Sequence, residues 1–96
     1  MFDQVLKQTR QRVELLQYIM TLHSDEEMED DGLTIFDIEH VILTGEIVQR
    51  QFDVNSGEAK YLIEGRIESG DPVIVVVKLG ATDTVVIITV YRVYNI

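Results

Sequence analysis

A chain of 96 residues, 46% hydrophobic and 26% charged, suits one domain over 1–96, because domains run from about 50 to 250 residues. Eight Lys and Arg against seventeen Asp and Glu leave a formal charge of −9, which argues against an unspecific nucleic-acid grip, since that rests on clustered cations displacing counterions from phosphates. There is no cysteine, so disulfide and thiolate chemistry are excluded and an apolar core alone must hold the fold.

The charge is concentrated: Asp25, Glu26, Glu27, Glu29, Asp30 and Asp31 fall within seven positions. Near the start, Asp3, Lys7, Arg10, Arg12 and Glu14 interrupt any apolar run, so no secretory leader is expected. The longest apolar stretches, Val73–Val77 and Val85–Ile88, fall short of the ~20 residues of a bilayer span. The expected location is cytoplasmic, with no membrane contact.

Phe2, Val5, Leu6, Val13 and Leu16 recur near helical spacing among strong helix formers, which predicts an amphipathic helix over 3–17. The β-branched and aromatic content of Tyr18 to Leu22 favours a short strand. Ser24 followed by Glu27 has the form of a capping box, so a second helix is expected to start at Ser24 and to stop at Gly32, its acidic residues complementing the helix dipole. Thr34 with Asp37 has the same form. Ile35, Ile38, Val41 and Ile42 then mark one face of a helix over 35–43, and Gly45 is expected to supply a left-handed stop.

After Gly45 the pattern turns β-branched. Asn55-Ser56-Gly57, Glu68-Ser69-Gly70-Asp71 and Gly80-Ala81-Thr82-Asp83 divide runs at 47–53, 59–67, 72–79 and 84–94. Short polar turns imply antiparallel hairpins, and Pro72 opens a strand where its missing amide hydrogen does least harm. The expected fold class is α+β: N-terminal helices packed on a four-stranded antiparallel meander, with 1–17, 18–45 and 46–96 as helix, strand-and-helix and sheet parts.

Even closure of the turns sets Glu64 opposite Val75 and Ile88, and Gly65 opposite Ile74 and Thr89. Tyr61, Ile63, Ile74, Val76 and Tyr91 then share one face, and Leu62, Arg66, Val75, Ile88 and Arg92 the other. Both faces are apolar, so helices should cover one, and either a homodimer through the second face or the N-terminal helix the other.

His23 is the leading chemical candidate, because imidazole titrates near neutrality; its plainer role is a hydrogen bond where a helix begins. His40, beside Glu39, reads as a partly exposed helix residue. The acidic run lacks the alternating ligands and turn glycine of a Ca²⁺ loop, and His23 has no HExxH spacing, so neither metal nor cofactor is expected. The run could instead meet a basic protein partner at Asp25–Asp31. On one face Tyr61 and Tyr91 could line a pocket, and on the other Arg66 and Arg92 could pair with Glu64 or cradle a phosphate, although scattered charges such as these also keep sheets from pairing.

Leu22-His23, Met28, Gly32-Leu33, Asp37-Ile38-Glu39, Gly45-Glu46-Ile47, Tyr61-Leu62-Ile63-Glu64-Gly65 and Ile88-Thr89-Val90-Tyr91 follow one another in a spacing that resembles the bacterial family catalogued as domain of unknown function 4258, over residues 18–93. The resemblance implies an α+β fold similar to the RelE-like endoribonuclease toxins. It also implies, for active members, a phosphodiester-cleaving site made of a histidine after the first strand, an arginine soon after, a histidine in the penultimate strand and a terminal Thr-x-Tyr. His23, Thr89 and Tyr91 stand at matching positions here, whereas Asp31 replaces the arginine and Ile74 the strand histidine.

Two functions follow. The first is a non-catalytic or degenerate RelE-like interaction module. The second is an endoribonuclease of a toxin–antitoxin pair that cleaves RNA without metal through His23, Thr89 and Tyr91, with binding help from Tyr61, Arg66 and Arg92.

Overall fold

The first apolar stripe folds as a helix that stops earlier than its sequence pattern. In the computed structural model, which describes residues 1–80 and 82–94, helix α1 covers Asp3–Glu14. It closes when Gln17 N–H donates to Arg12 O at 2.8 Å and Leu16 N–H to Val13 O at 3.0 Å. That is a Schellman turn, with Leu16 (φ 58°) in the left-handed place that glycine usually holds. The expected helix over 3–17 thus overshoots, because nothing in its composition announces a leucine in that conformation. Strand β1 (Tyr18–Met20) follows at once.

Helix α2 covers Leu22–Asp30, and its cap is Thr21, whose Oγ1 accepts from Ser24 N–H at 3.1 Å. The expected cap at Ser24 is corrected: β1 runs straight into the helix, so the extended residue is Thr21 and Ser24 already lies inside the first turn, fully buried. Gly32 (φ 65°) ends the helix as expected, with Leu33 N–H reaching Met28 O at 2.9 Å.

Helix α3 (Ile35–Thr44) has the expected capping box: Thr34 N–H donates to Asp37 at 2.9 Å and Asp37 N–H to Thr34 Oγ1 at 3.2 Å. Ile38, Val41 and Ile42 are wholly buried. Arg10 of α1 donates from Nε to Ile42 O at 3.0 Å and from Nη2 to Gly45 O, placing a cation on the carbonyls at the negative end of α3. Gly45 itself is not left-handed (φ −83°), so that expectation is corrected. It is glycine because a Cβ there would lie 2.6 Å from Val41 O and nearer still to Glu64 O.

Strands β2 (Glu46–Phe52), β3 (Ala59–Arg66), β4 (Pro72–Leu79) and β5 (Val85–Arg92) follow the four predicted runs. Ala81 of the third predicted turn lies outside the described residues. The sheet has five strands in the order β1-β5-β4-β3-β2, and β1 runs parallel to β5, with Tyr18 opposite Val85 and Met20 opposite Ile87. The four-stranded antiparallel expectation is therefore corrected to a mixed five-stranded sheet, while the α+β class stands. Among the described residues, no helix is long and apolar enough to cross a membrane.

The expected register slips by one residue. Glu64 faces Ile74 and Gly65 faces Val73, because Ile67 belongs to the turn, where its N–H bonds Asp71 O at 3.1 Å. A bulge in β5 at Ile88, across from Val76 and Val77, brings Ile74 opposite Tyr91 and Val75 opposite Val90. Since a one-residue slip exchanges faces, Ile63, Val73, Val75, Val77, Ile87 and Val90 pack against the helices, and Leu62, Ile74 and Val76 form a smaller cluster on the open face with Tyr91.

Gly45→Ala should destabilise the fold by about 1–3 kcal/mol, the range for overpacking a filled site, as read from the urea midpoint; an unchanged midpoint would contradict the close approach of β3.

Candidate functional site

The acidic run divides into two faces once α2 forms. Among the described residues no strand lies beside the edge of β5 beyond Ile87, and α2 takes that place with side chains. Ser24 Oγ donates to Ile87 O at 2.9 Å and Thr21 Oγ1 to Ile88 O at 3.2 Å. Glu27 Oε1 accepts Val90 N–H at 3.3 Å, and Asp31 Oδ2 accepts Arg92 N–H at 3.1 Å. Ser24, Glu27 and Asp31 recur at helical spacing, so one face of α2 serves the sheet. Asp25, Glu26, Glu29 and Asp30 are exposed, and among the described residues no ion pair reaches them.

His23 is mostly exposed, and its Nε2 lies 3.2 Å from Glu27 Oε1. Glu27 thus stands between His23 and the Thr89–Tyr91 segment of β5, whose central amide it accepts. Among the described residues no hydrogen bond joins His23 to Thr89 or Tyr91. Those two share the open face, being two residues apart on a strand; Ile74 is directly opposite Tyr91, and Val76 opposite Thr89. Positions 74, 89 and 91 thus share the open face, with the hydrocarbon of Ile74 directly opposite Tyr91.

The other candidates separate. Tyr61 packs on the helix side against the main core, its ring 6.1 Å from Phe2 in an edge-on contact, so it shares no face with Tyr91. Arg92 also lies on the helix side, opposite Val73; its Nε donates to Asp31 O at 2.9 Å and its Nη1 to Asp71 at 2.9 Å. Arg66, one residue beyond Gly65, falls on the opposite face and donates to Gly70 O at 2.7 Å. The expectation that Arg66 and Arg92 share a face is corrected by the one-residue slip.

One concavity escaped the sequence reading. A cavity of about 240 Å³ on the open side is lined by residues from both ends of the strand order, Thr21 after β1 and Asp53 after β2, with Lys60, Lys78, Val86 and Ile88 between them. Lys78 bonds Glu58 at 2.8 Å. The Asp53 carboxylate is held below its ordinary range by the N–H groups of Asn55 and Ser56, helped by Lys60 and Lys78. The positive and negative groups around this cavity balance one another, which gives it no net preference for an anion. Lys60 and Lys78, each close to a turn at one end of its strand, were its sign in the sequence. Among the described residues, no group of three or more His, Asp or Glu is placed to hold a metal ion.

Behind the sheet, Tyr18 OH donates to Glu39 Oε2 at 2.7 Å. Burial first, then the bond to Glu39 and its negative charge, push this phenol up to about 12.

The model of the family described as Domain of unknown function (DUF4258) matches residues 20–92. Neither a curated protein nor a solved structure matches the chain.

Glu27→Ala and Asp31→Ala should each cost about 1–2 kcal/mol in urea unfolding, since each leaves a strand amide without its acceptor. Neutralising Asp25, Glu26, Glu29 and Asp30 together should move stability by only about 0.5 kcal/mol; equal losses in both sets would refute the division of the run. Tyr18 gives a pH test. A phenol with a folded pKa above its ordinary 10.0 adds stability that is complete below pH 10 and is lost as pH rises through about 12. Tyr18→Phe should flatten the unfolding midpoint across that window, and a wild-type midpoint already flat there would contradict the pairing.

Proposed function

Given that the chain belongs to the family described as Domain of unknown function (DUF4258), we propose that it acts as a non-catalytic interaction module, a degenerate relative of the RelE-like toxins. The observation that carries this is Ile74. Cleaving RNA without metal needs a base, an acid and a cation for the developing phosphorane charge. The side chain opposite Tyr91 can be none of these, packed as it is with Leu62 and Val76.

The charge arrangement agrees. Asp31, at the position where the family pattern puts an arginine, spends its carboxylate on β5, and Arg92, the nearby cation, is engaged by Asp31 and Asp71. A phosphate approaching here meets a guanidinium already held by the Asp71 carboxylate and the Asp31 main-chain carbonyl, with the Asp31 carboxylate on the neighbouring Arg92 amide. The exposed side of α2 suits a Lys- and Arg-rich protein surface, which four clustered carboxylates would attract and orient.

One observation favours the alternative, a surviving endoribonuclease. Glu27 beside His23 resembles the carboxylate that fixes an imidazole's orientation in acid–base catalysis, and Thr89 and Tyr91 lie on the adjacent strand.

Induced expression in cells separates the two. The interaction reading expects no growth arrest; an arrest that disappears with His23→Ala or Tyr91→Phe would overturn it. Titration with a Lys/Arg-rich peptide should show salt-sensitive binding that weakens about tenfold when Asp25, Glu26, Glu29 and Asp30 are neutralised.

A further inference from the structure

The two edges of the sheet are protected very differently. Edge strand β2 carries a bulge between Ile47 and Gln49 and exposed Glu46 and Arg50. The Arg50 guanidinium lies 5.0 Å from the Phe52 ring and 5.8 Å from that of Phe2. Bulges and charges of this kind prevent strand addition. Edge strand β1 has neither. Between Glu14 and His23 the chain carries no charge in a protein of net charge −9, yet Leu15, Leu16, Ile19 and Leu22 are 65%, 72%, 56% and 75% exposed.

The hydrogen bonds to β5 reveal where the polar groups of β1 point. Val85 N–H donates to Gln17 O and Thr21 N–H to Ile87 O, each at 3.1 Å. In a parallel ladder alternate residues of one strand face the same neighbour. Gln17, Ile19 and Thr21 therefore turn their main-chain groups to β5, and Tyr18 and Met20 turn theirs outward. Leu16 adds a second oddity. It occupies a left-handed position (φ 58°) that glycine fills with less strain, and neither packing nor helix termination calls for a leucine there.

We infer that β1 pairs antiparallel with β1 of a second copy about a two-fold axis through Ile19. In that register Tyr18 exchanges both main-chain bonds with the partner's Met20, using the groups that β5 leaves free. Ile19 forms the non-hydrogen-bonded pair with the partner's Ile19, the kind that brings side chains closest. The same register sets Leu16 opposite the partner's Leu22. The edge is thus complementary to itself, as a two-fold contact requires.

Charge favours this arrangement over a parallel one. Each α2 follows its own β1, so antiparallel joining sends the two acidic helices to opposite ends of the junction, and two chains of net charge −9 meet through an uncharged segment. Separation beyond about 8–10 Å leaves such exposed charges largely screened at physiological salt. The open face offers a second copy less, since Leu62, Ile74 and Val76 are already only 9%, 9% and 6% exposed. This assembly goes beyond the interaction role proposed above and does not depend on it.

Light scattering and amide hydrogen exchange of the full chain test the pairing. From micromolar to millimolar concentration the mass should climb from 11.0 kDa toward twice that value. The amides of Tyr18 and Met20 should gain protection over the same range, and those of Val48 and Arg50 should not. Ile19→Lys, at an exposed site, should hold the chain monomeric. Leu16→Gly, which relieves the backbone and so keeps the fold, should weaken association about tenfold, the loss of one well-placed apolar contact. A monomeric mass throughout, association that survives both substitutions, or concentration-dependent protection confined to the other edge or the open face would each overturn the inference.

Discussion

A strand edge needs partners for every second amide and carbonyl, and β5, second in the sheet, has only half of one edge paired by a strand. Residue spacing explains how a helix can take over. Four residues of α-helix advance about 6.0 Å, and two residues of strand about 6.6–6.8 Å. Glu27 and Asp31, four apart, therefore reach Val90 and Arg92, two apart, with little adjustment. Thr21 and Ser24 supply donors where β5 presents carbonyls, at Ile88 and Ile87. Removing this match would leave part-buried strand groups without partners and α2 without a seat.

This changes the meaning of the acidic run. Its net effect on the protein's field is large, but two of its six carboxylates are structural: a carboxylate that accepts a backbone N–H is a building element as well as a charge. At Asp31 the fold has a reason of its own to hold an anion. Chemistry that depended on positive charge there would have to displace a bond that joins helix to sheet.

The sequence announced features whose cause is local. The capping box of Thr34 and Asp37, the stop at Gly32 and the runs that become β2 to β5 were all readable, because short-range geometry decides them. Whatever depended on counting across turns was not. Including Ile67 in the strand shifted the β3–β4 register by one residue, and the bulge in β5 has no signature among Val, Ile and Thr. The faces of Tyr61, Arg66 and Arg92 followed from that count, so these three were grouped wrongly, while Ile74, Thr89 and Tyr91 stay on one face as the alternation within each strand implies. The pairing of β1 with β5 was unreadable for another reason: three residues are too few to show a period, and their partner is at the far end of the chain.

That last pairing has a kinetic consequence. Strands β2 to β5 join neighbours through short turns and can assemble without the first 45 residues of the chain crossing any distance. Thr21 and Ile88, by contrast, are 67 positions apart, and closing so long a loop costs entropy before any contact returns it. Loop-closure cost thus favours forming the meander first, with the N-terminal strand and acidic helix closing onto it later. Until they do, the β5 edge is open, and the nascent chain, emerging N-terminus first, holds its uncharged β1 segment exposed for the whole interval before its own partner strand has been synthesised.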